Sequence, residues 1–220
     1  MTVLAPLHFA DPREAAALAA FLTRLVHYDR AAAVRLQAGA GALAVFGRPP
    51  SFEVLAIRTA RLADPVDLDA TVSAGELLDG VEEDAGKAAV PAAVTGPPWA
   101  GVLPPRGGWT PVPGLPGAPA LRGAVAAAVA EFRRRDGDLP EERRTRAERD
   151  RLGREIWSRL LGTTGLPLRA VHAAQSLGFL PPGEVPVALL AAGPWLRLRT
   201  PYGSVALRTA PTGLSVAPAR

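Results

Sequence analysis

Apolar residues near the start of the chain recur at the spacing of a helix. The stripe that they form contains Leu18, Phe21, Leu22 and Leu25. These residues are three and four positions apart, so they share one face of an amphipathic helix. Upstream, Asp11 suits an N-cap, Pro12 the first helical position and Glu14 the matching place of a capping box. The pattern predicts a helix from Pro12 that packs its stripe on another element.

The residues after this helix alternate between apolar and polar, which is the period of a β-strand. The three alternating segments are AVRLQAG (33–39), GALAVFG (41–47) and FEVLAIRTARL (52–62). Because the turn GRPPS separates the last two, we predict a three-stranded meander. An acidic loop, a short strand and a short helix capped by Ser73 are predicted to follow.

Towards its C-terminus the chain returns to helical periodicity before a second set of strands. An alanine-rich helix is predicted to be capped by Gly137, and a charged helix to span 139–161 with Asp138 and Glu141 at capping-box spacing. The apolar seam of the charged helix is Leu152, Ile156 and Leu160. Its interleaved charges indicate ion pairs at i and i+4, such as Glu142–Arg146, Asp150–Arg154 and Glu155–Arg159. A short helix over 167–178 and three strands, VPVALLAAG, PWLRLRT and GSVALRT, complete the pattern.

A helix followed by a meander thus occurs at both ends of the chain. We predict an α+β fold with helices packed on antiparallel meanders. The predicted parts are an N-terminal lobe (1–84), a Pro/Gly-rich crossover (85–120) and a C-terminal lobe (121–220), which can also form one composite domain. The two meanders are expected either to pair into one sheet or to face each other across a pseudo-two-fold axis. Chance similarity between two Ala- and Leu-rich meanders explains the repeat equally well.

The crossover combines helix-breaking residues with two large aromatic rings. Between Pro91 and Pro119 there are nine prolines and six glycines, so little regular structure is expected. Trp99 and Trp109 lie within it, and tryptophan buries a large apolar area when it finds a groove. We interpret the segment as an ordered connection whose two rings are packing anchors or partner anchors. A flexible tether is the alternative.

The last predicted hairpin has arginine along one face. Side chains alternate between the two faces of a strand, so Leu196 and Leu198 share one face and are expected to point inward. Val205 and Leu207 have the same parity, that is, they lie on this face of the next strand. The residues of the opposite parity are Trp195, Arg197, Arg199 and Arg208. They form a candidate anion-binding or nucleic-acid-binding face, although a solvated outer face explains arginine there more simply. The earlier meander offers only Arg58, expected beside Ala44, Val54 and Ala56.

Composition changes this picture little. The net charge is only +4, because 25 basic residues face 21 acidic ones, and the pI of about 10.5 reflects the scarcity of lysine, of which Lys87 is the only one. With 48% hydrophobic residues the chain is typical of a globular protein. It has no cysteine, which excludes disulfides and thiolate chemistry. Neither an export signal nor a membrane span is indicated, so we expect a cytoplasmic protein.

No sequence motif points to catalysis, a cofactor or a metal site. The three aspartates of DPVDLD, Asp64, Asp67 and Asp69, lack the glycine and distal glutamate of an EF-hand. The histidines, His8, His27 and His172, are too scattered for a ligand set. We therefore predict no catalytic, cofactor-binding or metal-binding residues, and whether the protein is an enzyme stays open.

Three segments carry a resemblance: PPWAGVLPPRGGWTPV, HAAQSLGFL and GPWLRLRTPYGSVALR. They resemble a family of uncharacterised proteins of high-GC actinobacteria over roughly the last 120 residues. The resemblance implies no activity, cofactor or catalytic residue.

Three hypotheses of function follow from the sequence. The first is a non-enzymatic cytoplasmic interaction protein that self-associates or binds a protein partner, based on the Trp-bearing crossover and the charged helix. The second is a nucleic-acid-binding module that uses Trp195, Arg197, Arg199 and Arg208. The third is a small-molecule enzyme or ligand binder with a pocket between the two halves, near His172.

Overall fold

The computed structural model describes residues 6–209, which form five α-helices and eleven β-strands. The helices are α1 (Pro12–Tyr28), α2 (Ala74–Asp79), α3 (Ala118–Gly137), α4 (Arg146–Trp157) and α5 (Leu168–Ser176). The strands are β1 (Leu7–His8), β2 (Ala33–Gly39), β3 (Ala42–Gly47), β4 (Leu55–Arg61), β5 (Leu68–Ser73), β6 (Val81–Glu82), β7 (Lys87–Ala88), β8 (Thr110–Pro111), β9 (Ala188–Ala192), β10 (Trp195–Thr200) and β11 (Gly203–Arg208). The predicted α+β fold with antiparallel meanders is confirmed.

The two meanders join into one antiparallel sheet. Its order is β5-β2-β3-β4-β11-β10-β9-β8, so the last strand of each meander pairs with the other at the centre. At this junction Ile57 lies opposite Ser204, and Leu55 opposite Ala206. Of the two arrangements that the sequence left open, pairing into one sheet is therefore the one observed. A separate small sheet, β1-β7-β6, packs beside α1.

Helices α1 and α5 cover one face of the large sheet, which we call the inner face, and α3 and α4 pack against α5. Helix α1 contacts β4 and α5 contacts β11, so one helix from each end of the chain lies on each side of the central junction. Where they meet, the rings of Phe21 and Phe179 stack with centroids 5.6 Å apart. The hairpin leucines, Leu196 and Leu198, are buried in this core, as their parity predicted.

Local signals fixed the beginnings of α1 and α2. The Asp11 carboxylate accepts a hydrogen bond from the backbone N–H of Arg13 (2.8 Å), and the Ser73 hydroxyl accepts one from Glu76 N–H (3.3 Å). Glu14 does not complete a capping box. Its carboxylate instead forms ion pairs with Arg58 and Arg61, which lie on the sheet beneath the helix.

The charged helix is shorter than predicted at both ends. The predicted cap at Asp138 is wrong, because Thr145 caps α4 by accepting a hydrogen bond from Glu148 N–H (3.2 Å). The Arg144 guanidinium donates to the carbonyls of Gly137 and Leu139, which stabilises a non-helical connection. Leu160 lies beyond the end of α4 and is 59% exposed, so it does not continue the predicted seam.

The opposite, outer face of the sheet is crossed by the Pro/Gly-rich segment from edge to edge. At the β5 edge, Val94 N–H donates to the Thr71 carbonyl (2.8 Å). A 3-10 turn, Pro98–Gly101, carries Trp99 over the central strands. At the other edge β8 pairs with β9, and Val112 N–H donates to the Leu189 carbonyl (2.8 Å).

Candidate functional site

The outer face has an apolar centre, which differs from the solvated surface that we favoured from the sequence. Its buried cluster consists of Phe46, Leu55, Ile57, Trp195 and Ala206. Trp99, Leu103 and Trp109 of the crossover pack against this cluster and cover it in part. The predicted anchors, Trp99 and Trp109, therefore both lie on the sheet of their own chain. Trp195 is only 8% exposed beneath them.

A cavity of about 410 Å³ opens beside this cluster, at the junction of the two halves of the sheet. We call it the junction cavity. Its lining residues are Arg48, Glu53, Val54, Leu55, Pro98, Trp99, Val102, Arg169, Trp195, Ala206, Leu207 and Arg208. The β3–β4 loop, the crossover turn, α5 and the β10–β11 hairpin thus each contribute part of the wall. No single segment of the sequence contains the cavity.

Two indole rings form aromatic walls of the junction cavity. Trp195 comes from the start of β10, and Trp99 from the 3-10 turn that passes over it. The guanidinium carbon of Arg208 lies 6.0 Å from the centroid of the Trp195 ring, a cation–π distance. A planar apolar group in this cavity would therefore meet aromatic surface with a cation at its edge.

The charged residues of the junction cavity are unbalanced. Three guanidinium groups, from Arg48, Arg169 and Arg208, line it with a single carboxylate, that of Glu53. The Arg169 Nε is buried and makes no hydrogen bond within the described residues, and its ion pair with the Glu53 carboxylate is long, at 3.5 Å. A buried donor without an acceptor is destabilising. The site therefore has an unmet capacity to donate to an anion.

The loop that carries Glu53 has strained backbone geometry. Ser51 has a φ angle of 68° and Glu53 one of 54°, both in the left-handed region that residues other than glycine rarely occupy. Strain of this kind persists only where the surroundings impose it, and it is often found at ligand sites. Phe52 between them is buried and packs edge-on against His172, with ring centroids 5.1 Å apart. This contact anchors the loop on α5.

The predicted arginine face is divided between two places. Trp195 and Arg208 line the junction cavity, whereas Arg197 lies under Trp109 in a separate cavity on the other side of the crossover. Arg199 shares their side of the sheet but is exposed and lines neither cavity. The four residues thus lie on one face, as their parity predicted, without forming one surface.

Arg58 is not on the outer face, so the prediction that it lies beside Ala44 there is wrong. It lies opposite the core residue Val45 in the sheet and points to the inner face, where its side chain is 12% exposed. Burial lowers the pKa of Arg58, and the nearby Glu14 carboxylate raises it in part. Its guanidinium donates to the Tyr202 carbonyl (2.6 Å), which ties β4 to the β10–β11 turn.

His172 lines a cavity of about 480 Å³ between α3 and α5, but both of these helices belong to the C-terminal half of the chain. The junction cavity, which both halves line, lies one turn of α5 away at Arg169. His172 itself stacks on Trp157, with ring centroids 4.3 Å apart, and its burial lowers its pKa. Sequence reasoning missed Arg48, Glu53 and Arg169. The only signal for them was the turn GRPPSFE between two strands, which gives no indication that α5 lies beside it.

The aspartates of DPVDLD do not converge. Asp64 lies 3.3 Å from His8, and Asp69 accepts a hydrogen bond from Arg35 (2.7 Å). Within residues 6–209, no three histidine or acidic side chains are grouped as a metal ion requires.

Comparisons with known families divide the chain at the crossover. Residues 3–101 match a domain of unknown function (DUF8010), and residues 104–212 match a second one (DUF8185). The two matched regions follow each other along the chain. Among curated proteins, none matches the chain. The division falls next to Val102, so the junction cavity is built by both matched regions: Trp99 belongs to the first, and Trp195 and Arg208 to the second. None of the described helices is long and apolar enough to cross a membrane.

Proposed function

We propose that this protein binds a small anionic ligand with a planar apolar body in the junction cavity. The observation that carries the proposal is that three guanidinium groups line the cavity with a single carboxylate, while the buried Arg169 Nε makes no hydrogen bond and only a long ion pair with Glu53. A ligand carboxylate, sulfonate or phosphate would accept the missing hydrogen bond. Guanidinium groups suit this role because their parallel N–H bonds match the oxygens of such anions.

The rest of the cavity supports an apolar, planar body for the ligand. The half-buried Trp99 offers aromatic surface, and Leu55, Ala206 and the buried Trp195 form an apolar floor. Small-molecule sites in proteins are commonly concave and apolar with a few convergent polar groups, and a volume of about 410 Å³ lies within their usual range. The combination favours an aromatic or other ring-bearing anion over a bare inorganic ion.

Self-association, a protein partner and nucleic-acid binding stay predictions of the sequence with less support from the geometry. Base stacking on the hairpin face needs open aromatic rings, but Trp195 is buried and Trp109 lies over Arg197. The exposed large apolar residues of the described chain, such as Tyr28, Val94 and Leu160, come from separate elements. The cationic cavity is the more specific feature.

A pair of dyes that differ in one charged group tests the proposal. Anilinonaphthalene sulfonate has an apolar ring system with an anion, and phenylnaphthylamine has the same rings without it. We expect the sulfonate to bind with a dissociation constant at least about tenfold lower than that of the neutral dye. In fluorescence titrations, Arg208→Gln and Arg169→Gln should each raise the dissociation constant of the sulfonate dye about tenfold. The dissociation constant of the neutral dye should change little.

The matched control is Arg199→Gln, which removes a guanidinium from the same strand face outside the cavity. Binding of the sulfonate should be unchanged in this variant. Equal weakening by Arg199→Gln and Arg208→Gln would show that general surface charge, and not the junction cavity, attracts the dye. Thermal melts of each variant verify that the fold is intact.

A further inference from the structure

We infer that a second site, centred on Arg197 and separate from the junction cavity, binds a monocarboxylate with an apolar tail. A cavity of about 510 Å³ lies on the outer face beyond the crossover, and we call it the Arg197 cavity. Its lining residues are Gln37, Ala38, Gly39, Ala40, Ala42, Leu43, Ala44, Phe46, Ile57, Thr59, Asp67, Pro104, Pro105, Arg106 and Arg197. None of them lines the junction cavity.

Arg197 is a half-buried cation with no anionic partner in the described part of the chain. Its Nε donates to the Ser204 hydroxyl (2.8 Å), and its guanidinium carbon lies 5.6 Å from the centroid of the Trp109 ring. Within residues 6–209, no carboxylate forms an ion pair with it and neither terminal nitrogen donates a hydrogen bond to the protein. Burial lowers its pKa, and Arg199 lowers it further. A desolvated charge of this kind is costly until an anion pairs with it.

The geometry of Arg197 favours a carboxylate as that anion. Because Nε is engaged by Ser204, the two terminal nitrogens are left as a planar pair of donors. Such a pair matches the two oxygens of a carboxylate. Arg106 and Asp67 also line the Arg197 cavity, so its two guanidinium groups and one carboxylate leave one unbalanced positive charge. A single negative charge therefore fits better than two.

The remaining walls fit an apolar tail. The sheet contributes Ala44, Phe46 and Ile57 as a floor, and the crossover contributes Pro104 and Pro105. The Trp109 indole N–H donates to the Pro105 carbonyl (3.0 Å), which fixes the ring over Arg197. Carboxylate and tail are thus both accommodated, the first under Trp109 and the second along the apolar strands.

The test compares octanoate with octanamide, which has the same tail without the charge. By calorimetry we expect octanoate to bind the full chain at least about tenfold more tightly than octanamide. Arg197→Gln should lower the affinity for octanoate about tenfold. Arg197→Lys should lower it as well, because an ammonium group lacks the planar pair of donors. Arg199→Gln, on the same strand, is the control and should bind as the unchanged protein does.

A measurement on the unchanged protein keeps the test independent of how the variants fold. In a ¹H–¹⁵N spectrum with the indole signals assigned from Trp→Phe variants, octanoate should shift Trp109 and leave Trp99 in place. The inference is overturned if octanoate does not bind, if Arg197→Gln binds it normally, or if Trp99 shifts and Trp109 does not. The last result places octanoate in the junction cavity, which contradicts the second site and favours the first. A negative result in the dye experiment, in turn, contradicts only the proposal for the junction cavity and does not bear on the proposal for the Arg197 cavity.

Discussion

The two faces of the large sheet are formed by the same strands but are covered in different ways. On the inner face, helices interlock their side chains with those of the sheet, and residues such as Leu36, Leu198 and Val205 have no exposed surface. On the outer face a single Pro/Gly-rich segment covers a small apolar cluster. The Arg197 cavity lies there, and the junction cavity opens on the other side of that segment, where Arg169 of α5 completes its wall from the helical side.

The difference follows from what can fill space beside a sheet. A helix presents a row of long side chains at regular spacing, which pack at the density of a protein interior. The Pro/Gly-rich segment presents few such side chains, so it contacts the sheet at points such as Trp99 and Trp109 and leaves gaps between them. The comparison teaches that the two sides of the same strands differ in packing, and that the two sites proposed above lie beside the segment that packs less closely.

The largest expected effect comes from truncating one leucine on each face. Leu198→Ala leaves a hole in the interlocked inner core and should lower the free energy of unfolding by about 2–5 kcal/mol. Leu55→Ala, on the outer face beside the junction cavity, should lower it by roughly 1–2 kcal/mol, because its neighbours can relax into existing space. Urea denaturation measures both. Equal losses would show that the two faces are packed equally well.

The inner face could largely be predicted from the sequence, because its elements follow local patterns. The apolar stripe of α1, the cap at Ser73 and the parity of Leu196 and Leu198 depend only on spacing and on neighbouring residues. The pairing of β4 with β11 could not be predicted, because it joins residues about 150 positions apart. The backbone hydrogen bonds that form it do not depend on which side chains the two strands carry.

The candidate site was less accessible to sequence reasoning. Trp195 and Arg208 were found by strand parity, but Arg48 and Arg169 reach the junction cavity from a loop and a helix that no local pattern connects. The error at Arg58 has a related cause. An arginine on a strand was expected to face water, whereas its partner Glu14 comes from a helix and allows it to be buried.

The Glu14–Arg58 pair is the polar exception on the inner face and gives the second prediction. Glu14→Gln leaves the Arg58 charge without a counter-ion where its side chain is only 12% exposed, so we expect a loss of roughly 1–3 kcal/mol in the free energy of unfolding. Arg61→Gln is the control, because Arg61 also approaches Glu14 but is 77% exposed. Urea denaturation should show almost no loss for this control. If Arg61→Gln loses as much free energy of unfolding as Glu14→Gln, the buried pair contributes no more to stability than the exposed one.

The smallest expected effect lies on the side of the helical layer that faces water, where α3 and α4 are joined by ion pairs. The Arg159 guanidinium donates to Glu131 (2.7 Å), and that of Arg135 donates to Glu131 (3.2 Å) and Glu155 (2.7 Å). Hydrogen bonds from Arg159 and then Arg135 lower the pKa of Glu131 from its usual 4.5 to about 2. Exposed pairs of this kind contribute little to stability at neutral pH.

The sign of the pH dependence distinguishes this contribution from that of the core. Because the Glu131 pKa is lower in the folded chain than in the unfolded one, its stabilisation is complete above about pH 4.5 and is lost as the pH falls towards 2. In thermal melts, the melting temperature of Glu131→Gln should therefore be slightly lower than that of the unchanged protein at pH 7. This difference should disappear as the pH approaches 2. Glu142→Gln, which removes an exposed carboxylate without an ion pair in the described structure, should show no such convergence. If the melting temperature of Glu131→Gln stays below that of the unchanged protein in acid, the effect of the substitution comes from packing between α3 and α4. The ion pairs would then contribute nothing measurable to the stability of this helical layer.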